Sequence, residues 1–169
     1  GARVYVLVAP MVGAPIAVEW GGVAASLKGA AHARALAWGR EIEPVELAPV
    51  IDLAPCFYPY LVALHGADDP WLDDTLAIAQ AERIESQAEG LAGQGSAVMR
   101  IGGWLHASAH AADIAAALSI NLRVRCESPV KPRYQRLADR RALAWAHCVA
   151  GDARMRAALG PIHQWTYLD

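Results

Sequence analysis

His106 and His110 stand four residues apart with Asp113 three further on, the closest approach in this chain to a metal-ligand set. On one continuous helix both imidazoles would share a face, and the carboxylate would complete the set. That reading needs a helix already running at His106, and no glutamate occupies the metalloprotease position between the histidines. A structural or solvent-facing role is the plainer reading. His147 and Cys148 are adjacent, but helical neighbours diverge by about 100° and make no nucleophile–base pair. Cys148 reads instead as a small packing residue. Ser96, in Gly93-Gln94-Gly95-Ser96-Ala97, lacks the Gly-x-Ser-x-Gly elbow, and the same glycines lack the Lys-Ser/Thr of a phosphate loop. Asp68, Asp69, Asp73 and Asp74 do not follow the order of a calcium loop, and helix capping accounts for them. No catalytic constellation is left. The expectation is a protein that is not an enzyme and uses no cofactor or metal.

A different chemistry, recognition of a partner, is open to the C-terminal third. Asp139 belongs at a helix N-cap, where Arg136 or Arg141 can pair with it across a strand–helix corner. The alternative leaves a guanidinium free for a partner's carboxylate. Trp165 and Tyr167 are either the last plugs of the core or anchors of a binding surface, where such residues are enriched. Trp104, Arg136, Arg140, Arg141, Trp165 and Tyr167 are therefore the candidate partner-binding residues; Asp139, Gly160 and Pro161 are structural.

These side chains need elements to carry them. Arg3 to Val8 reads as a buried strand, followed by turns at Pro10 and Gly13-Ala14-Pro15. Val23 to Trp38 reads as a helix with Leu27, Ala31, Arg34 and Trp38 on one face and Gly39 as its C′ residue. Glu41 to Pro55 reads as an edge strand and loop, and Tyr60 to Leu64 as another strand. Asp69-Pro70 with Asp73 and Asp74 starts a helix of about five turns. Its apolar face is expected at Ala77, Ala81, Ile84, Ala88 and Leu91. Residues 90–96 read as a flexible connector, Ala97 to Ile101 as a strand that Gly102-Gly103 bends, and His110 to Ser119 as a helix with Ile114, Ala117 and Leu118 inward. Leu122, Val124 and Cys126 alternate with Arg123 and Arg125 in a half-buried strand. The break at Glu127-Ser128-Pro129 sends the chain back along Tyr134 to Leu137, so the two form a hairpin. From about Arg141 a helix places Ala142, Trp145, Ala146 and Val149 on one face. Gly151 ends it, Asp152 caps the next helix, Met155, Ala158 and Leu159 face inward there, and Gly160-Pro161 stops it. Strands alternating with helices predict an α/β fold: a single domain over residues 1–169, with a small mixed β-sheet flanked by helices.

The composition agrees. The chain has 169 residues, 55% of them hydrophobic and 19% charged, which allows a real core and excludes a disordered chain. With a single Phe, the six Trp and five Tyr supply most of the large anchors. No apolar run approaches the roughly 20 residues of a membrane span. No basic region, apolar core and cleavage site opens the chain, and Gly1 in place of Met points to a processed or engineered start. Cys56, Cys126 and Cys148, odd in number and far apart, suit a reducing cytoplasm better than a disulfide framework. The net charge of −2 divides into −7 over residues 1–120 and +5 over residues 121–169. Solvated faces and internal ion pairs explain that division; a basic C-terminal part that docks an acidic segment or nucleic acid is the sharper alternative.

One stretch carries a resemblance. Arg136-Leu137-Ala138-Asp139-Arg140-Arg141-Ala142-Leu143, followed by Gly160-Pro161-Ile162-His163-Gln164-Trp165, resembles the end of the type VI secretion effector adaptors that contain the DUF4123 domain. There a second strand ends Arg-aromatic-x-Asp-Pro-Arg-x-Leu, and a helix and Gly-Pro-Ile-x-x-Trp follow. Leu137 stands where that family usually has an aromatic, and Arg140 where it usually has proline. Tyr58-Pro59-Tyr60-Leu61-Val62 is similar to the family's Pro-Tyr-Leu-Val strand. Val4 to Val8 is similar to its first strand, with Ala9 in place of the aspartate that usually follows. The likeness is best over 110–169 and thin elsewhere. It implies a non-catalytic cytoplasmic chaperone that binds a toxic effector and helps load it onto the VgrG spike, with neither nucleic acid nor membrane as partner. An immunity protein that neutralises a toxin, a basic nucleic-acid-binding module using Arg123, Arg125, Lys131, Arg133, Arg136, Arg140 and Arg141, and a metal-dependent hydrolase on His106, His110 and Asp113 are the rival readings.

Overall fold

In the computed structural model, residues 1–10, 26–93, 97–121, 123–127 and 130–168 are described, with the backbone alone for 122–134 where it is given. Arg3–Val8 forms β1, its alternating side chains buried on both sides: Tyr5 and Leu7 face one way, Val6 and Val8 the other. A strand covered on both faces reads as a continuous apolar run. Around it lie β2 (Ile42–Pro44), β3 (Tyr60–Ala63), β4 (Ile101–Ala107) and β7 (Ile162–Thr166), giving a five-stranded sheet in the order β2-β3-β1-β4-β7. Each pairing in it is antiparallel, a finer point than the mixed sheet expected. Between β4 and β7 come β5 (Arg123–Glu127) and β6 (Val130–Tyr134), a separate two-stranded antiparallel ribbon. The return strand thus begins at Val130, earlier than the Tyr134 expected. Pro132 lies within it, opposite Arg125; a two-stranded ribbon has an unpaired edge on each strand, where a missing N–H is tolerated. The turn expected at Ser128-Pro129 falls outside the described residues.

Helices cover the sheet. On one face lie α1 (Leu27–Trp38) and α2 (Pro70–Leu91), packed on Val6, Val8, Tyr60, Val62 and Trp104. On the other, α3 (Ala111–Asn121), α4 (Arg140–Ala150) and α5 (Asp152–Leu159) pack on Tyr5, Leu7, Leu61 and Leu105. Fully burying each of these large side chains contributes about 1.5–3 kcal/mol. The result is the expected fold class, a single small α/β domain with helices on both faces of the sheet. Among the described residues no helix is long and apolar enough to cross a membrane.

Local signals set the helix ends. Ser26 caps α1, accepting from the Gly29 N–H at 3.0 Å, and Gly39 closes it in the left-handed region at φ 63°. The start expected at Val23 falls outside the described residues. Asp69 caps α2 through the Trp71 N–H at 2.9 Å, with Pro70 in the first turn. Asp139 caps α4. Asp152 is the first residue of α5, and Gly151 is its N-cap.

Three expectations about faces and strands are corrected. Ala77, Ala81, Ile84, Ala88 and Leu91 all face solvent; α2 buries Thr75, Ala79 and Glu82 instead. On α4, Trp145 and Val149 are each 66% exposed, while Arg140 and Leu143 are buried. In both helices a charged side chain is drawn inward by a distant partner, and that rotates the inner face away from the apolar stripe. Finally, the strand expected over Ala97–Ile101 begins only at Ile101 and runs on through Gly102-Gly103 to Ala107. A Cβ on Gly102 would lie 2.9 Å from Ala138 Cα, and one on Gly103, at φ 128°, would collide with the Thr166 carbonyl. The glycines let the chain that follows close onto β4.

Candidate functional site

Arg136 to Arg141 forms the corner that joins both layers. The Arg136 guanidinium donates to the carbonyls of Ala9 (2.7 Å) and Met99 (2.9 Å), clamping the end of β1 to the approach to β4. Leu137 and Ala138 enter the core. Asp139 accepts from the Arg141 N–H at 3.0 Å and pairs with its guanidinium at 2.7 Å. Burial alone would raise the Asp139 carboxyl; the hydrogen bonds and charge of Arg141 outweigh it and hold the pKa below the ordinary value.

Arg140 is 2% exposed and turns into the α2 face. It donates to the Ala79 carbonyl at 2.9 Å and lies 3.6 Å from Glu82, itself buried. Glu82 also accepts from the Arg100 N–H at 2.9 Å and from its guanidinium at 3.1 Å. One buried carboxylate therefore ties α2, β4 and α4 together. At the start of α2, Asp69 accepts from both ends of the Arg40 fork at 2.5 and 2.6 Å and from the His65 N–H at 2.6 Å. These hydrogen bonds, that of Arg40 above all, hold its pKa well below the usual carboxylate range against the opposing effect of burial.

Beyond this seam, α4, α5 and β7 frame a pocket of about 310 Å³, lined by Leu143, His147, Asp152, Met155, Trp165 and Tyr167 among others. Trp165 is held in place by a hydrogen bond from its Nε1 to the Gly102 carbonyl at 3.0 Å and by its register opposite Leu105. The Asn121 side chain donates to the Ala158 carbonyl and fixes α5 against α3. At the pocket mouth, His147 Nε2 meets Asp152 Oδ1 at 2.6 Å, where the C-terminus of α4 favours a cation and the N-terminus of α5 an anion. Trp145 and Val149 stand exposed one helical turn apart on the same α4.

The six candidate partner-binding residues therefore divide. Trp104 is 6% exposed and bonds through Nε1 to Thr75 Oγ1 at 3.1 Å, on the α2 side of the sheet. Trp104 and Arg140 belong to the interior, and Arg136 is engaged with backbone carbonyls. Arg141 is half-exposed but committed to Asp139, with further bonds to Ser86 and the Ala97 carbonyl. Trp165 and Tyr167 come together in the pocket. Spacing places Trp145 on one apolar face with Ala142, Ala146 and Val149, and its exposure is what sequence reasoning missed. No local signal gave it: a helix that turns Arg140 inward turns Trp145, five residues on, outward, and the carboxylate beside Arg140 is 58 positions away.

Little in this arrangement can do covalent chemistry. His106 lies on β4 and His110 precedes α3, so the single helix required for the metal reading does not exist. Among the described residues no group of three His, Cys, Asp or Glu is placed to hold a metal ion. His147 has a carboxylate to orient it but no hydroxyl or thiol hydrogen-bonded to it among the described residues. A Ser–His contact does occur between Ser108 Oγ and His163 Nε2 at 3.0 Å, unforeseen because β7 was not foreseen. It is exposed, and no carboxylate is hydrogen-bonded to His163 among the described residues, so the orienting member of a triad is missing. Ser96 and its flanking residues 94 and 95 lie outside the described residues.

Comparison of the chain with protein-family models, with curated proteins and with solved structures found no match in any of the three. The site must speak for itself.

Proposed function

We propose that this protein is a non-catalytic adaptor that binds a type VI secretion effector and helps load it onto the VgrG spike. The observation that carries the binding half of this reading is the corner between α4, α5 and β7. There Trp165 and Tyr167 line a pocket with Leu143 and His147 of α4, and Trp145 and Val149 stand exposed on the opposite face of the same helix. Trp and Tyr together in a pocket, with a histidine and an aspartate at its mouth, is the composition of an interface centre and its rim. The secretion half rests on the resemblance of residues 136–143 and 160–165, whose side chains build this corner: Arg136 and Asp139 set the start of α4, and Gly160 to Trp165 make the turn into β7. Cytoplasmic residence, where an effector would be met before export, belongs to the same proposal. The nucleic-acid reading is weakened because Arg136, Arg140 and Arg141 already bond within the chain.

The test is a pull-down from the native bacterium with tagged protein, resolved by mass spectrometry and repeated with Trp145→Ala and with Tyr167→Ala. Recovery of a multidomain effector together with the spike, lost in the variants, supports the adaptor. A toxin without the spike supports an immunity role instead. Bait alone at both low and high salt overturns protein binding at this corner.

A further inference from the structure

The opposite edge of the sheet carries a second surface. Strand β2 is the edge strand, and among the described residues no strand pairs with its outer side. A groove of about 790 Å³ runs along it, walled by α1 on one side and α3 on the other, a volume in the range of binding clefts. The backbone there has a definite polarity. The Ala63 N–H donates to the Glu41 carbonyl at 3.1 Å and the Val45 N–H to the Pro59 carbonyl at 2.8 Å. Residues 41, 43 and 45 thus turn their backbone groups toward β3, and strand alternation directs the N–H and carbonyl of Ile42 and the carbonyl of Pro44 outward. Proline at that place removes a donor and shortens the run of edge groups, a common protection against indiscriminate edge pairing.

The walls are mainly apolar, with Lys28 and His32 of α1 among their polar residues, and the strand is acidic. Leu27 and Ala31 of α1 and Ile120 of α3, the last 68% exposed, line the groove, while Glu41, Glu43 and Glu46 lie along β2 and its continuation. Of these, Glu41 pairs with Arg3 at 3.2 Å in an exposed contact. Burial, and then the charge of neighbouring Glu41, push the Glu43 carboxyl upward; Lys28 opposes them and Glu46 adds to the push. Glu43 is thus a half-buried carboxylate with Glu41 and Glu46 as like-charged neighbours and Lys28 as an opposing cation.

We propose that this groove takes an extended, basic segment of a partner protein, which adds a strand to β2 through the Ile42 and Pro44 backbone groups and sets Lys or Arg side chains against Glu43 and Glu46. Strand addition supplies affinity through the main chain, and the acidic strip selects the sequence. The inference goes beyond the adaptor reading and does not rest on it: it concerns the other edge of the sheet and shares no residue with the α4–α5–β7 corner.

The probes are three synthetic eight-residue peptides: alternating Lys-Val, alternating Glu-Val, and Lys-Val with two prolines inserted. Binding is read by fluorescence anisotropy and by hydrogen exchange of the Ile42 amide. The Lys-Val peptide is expected to bind, to slow exchange at Ile42, and to weaken as salt rises. The Glu-Val and proline peptides are expected not to bind. Glu43→Lys, and separately the exposed Glu46→Lys, should weaken the Lys-Val peptide by about tenfold or more and admit the Glu-Val peptide. Lys-Val binding that leaves Ile42 exchange unchanged, or that neither charge reversal affects, overturns the proposal. So does protection of Ile42 that grows with the concentration of the protein alone, which would assign the groove to a second copy. Failure here leaves the effector pull-down untouched, and the reverse also holds.

Discussion

The seam around Glu82 and the corner around Trp165 are built from the same residue types and put them to opposite uses. In the seam, Arg140, Trp104 and Glu82 are 2–6% exposed and bond to one another's elements. In the corner, Trp145 is 66% exposed and Trp165 and Tyr167 line an open pocket. Arginine and tryptophan are favoured both as interface anchors and as buried staples, so residue type alone cannot separate the two regions. What separates them is how completely the described residues cover and bond the side chains. A buried guanidinium needs an anion beside it, and α2 supplies Glu82 together with the Ala79 carbonyl.

That contrast is broken most severely by removing the seam's shared anion. Glu82→Ala leaves Arg140 buried without its carboxylate and frees the Arg100 backbone N–H, so the expected loss is about 3–5 kcal/mol. Chemical denaturation would read it as a lower midpoint. A loss below about 1 kcal/mol would mean that the seam is ornamental and that Arg140 is free to serve a partner after all.

Acid should attack the same layer through Asp69. Its folded pKa is depressed, so the stability it lends is fully present above the ordinary carboxylate value of about 3.9 and is lost as pH falls through that value toward the folded one. The loss is on the order of 2 kcal/mol. Unfolding midpoints measured from pH 6 to pH 2 should fall steeply below about pH 4, and Asp69→Asn should be weaker at neutral pH with a shallower acid limb. Parallel curves for the two proteins would remove Asp69 from the account.

Gly103 links the two regions, since β7 reaches β4 only because no Cβ stands there. Gly103→Ala should cost about 1–3 kcal/mol and, more tellingly, should speed amide exchange in Ile162–Thr166 well before the rest of the sheet. Uniform exchange would show that the strand is not separately hinged on this glycine.

How much of this was open to a reader of the sequence follows from the range of each signal. Strand β1, the caps at Asp69 and Asp139, Gly39 at the end of α1 and the α/β class were legible because each depends on neighbours within a few residues. The faces of α2 and α4 were not. Ala77, Ala81, Ile84, Ala88 and Leu91 make a good apolar stripe, yet Glu82 lies on the far side of that helix and its partners are 18 and 58 positions away. Strand β7 and the passage of β4 through two glycines were hidden for the same reason. Glycine reads locally as a break, and only the approach of Ala138 and Thr166 makes it a requirement. The corner is legible in part: Trp165 and Tyr167 stand out in the sequence, but the spacing of Trp145 gives no sign of its exposure.

Trp145 should show the smallest stability change and sharpen the contrast most. A side chain 66% exposed has little to lose inside the chain, so Trp145→Ala should alter the unfolding free energy by no more than about 0.5 kcal/mol. An anchor at the centre of an interface, by comparison, costs 2 kcal/mol or more of binding when truncated, about thirtyfold in affinity. The two regions then part cleanly. Seam variants lose fold and binding together, whereas Trp145→Ala keeps its unfolding midpoint and loses the partner captured by the native protein. A Trp145→Ala protein that keeps both would move the binding surface away from this face of α4, and one that loses both would place Trp145 with the interior despite its exposure.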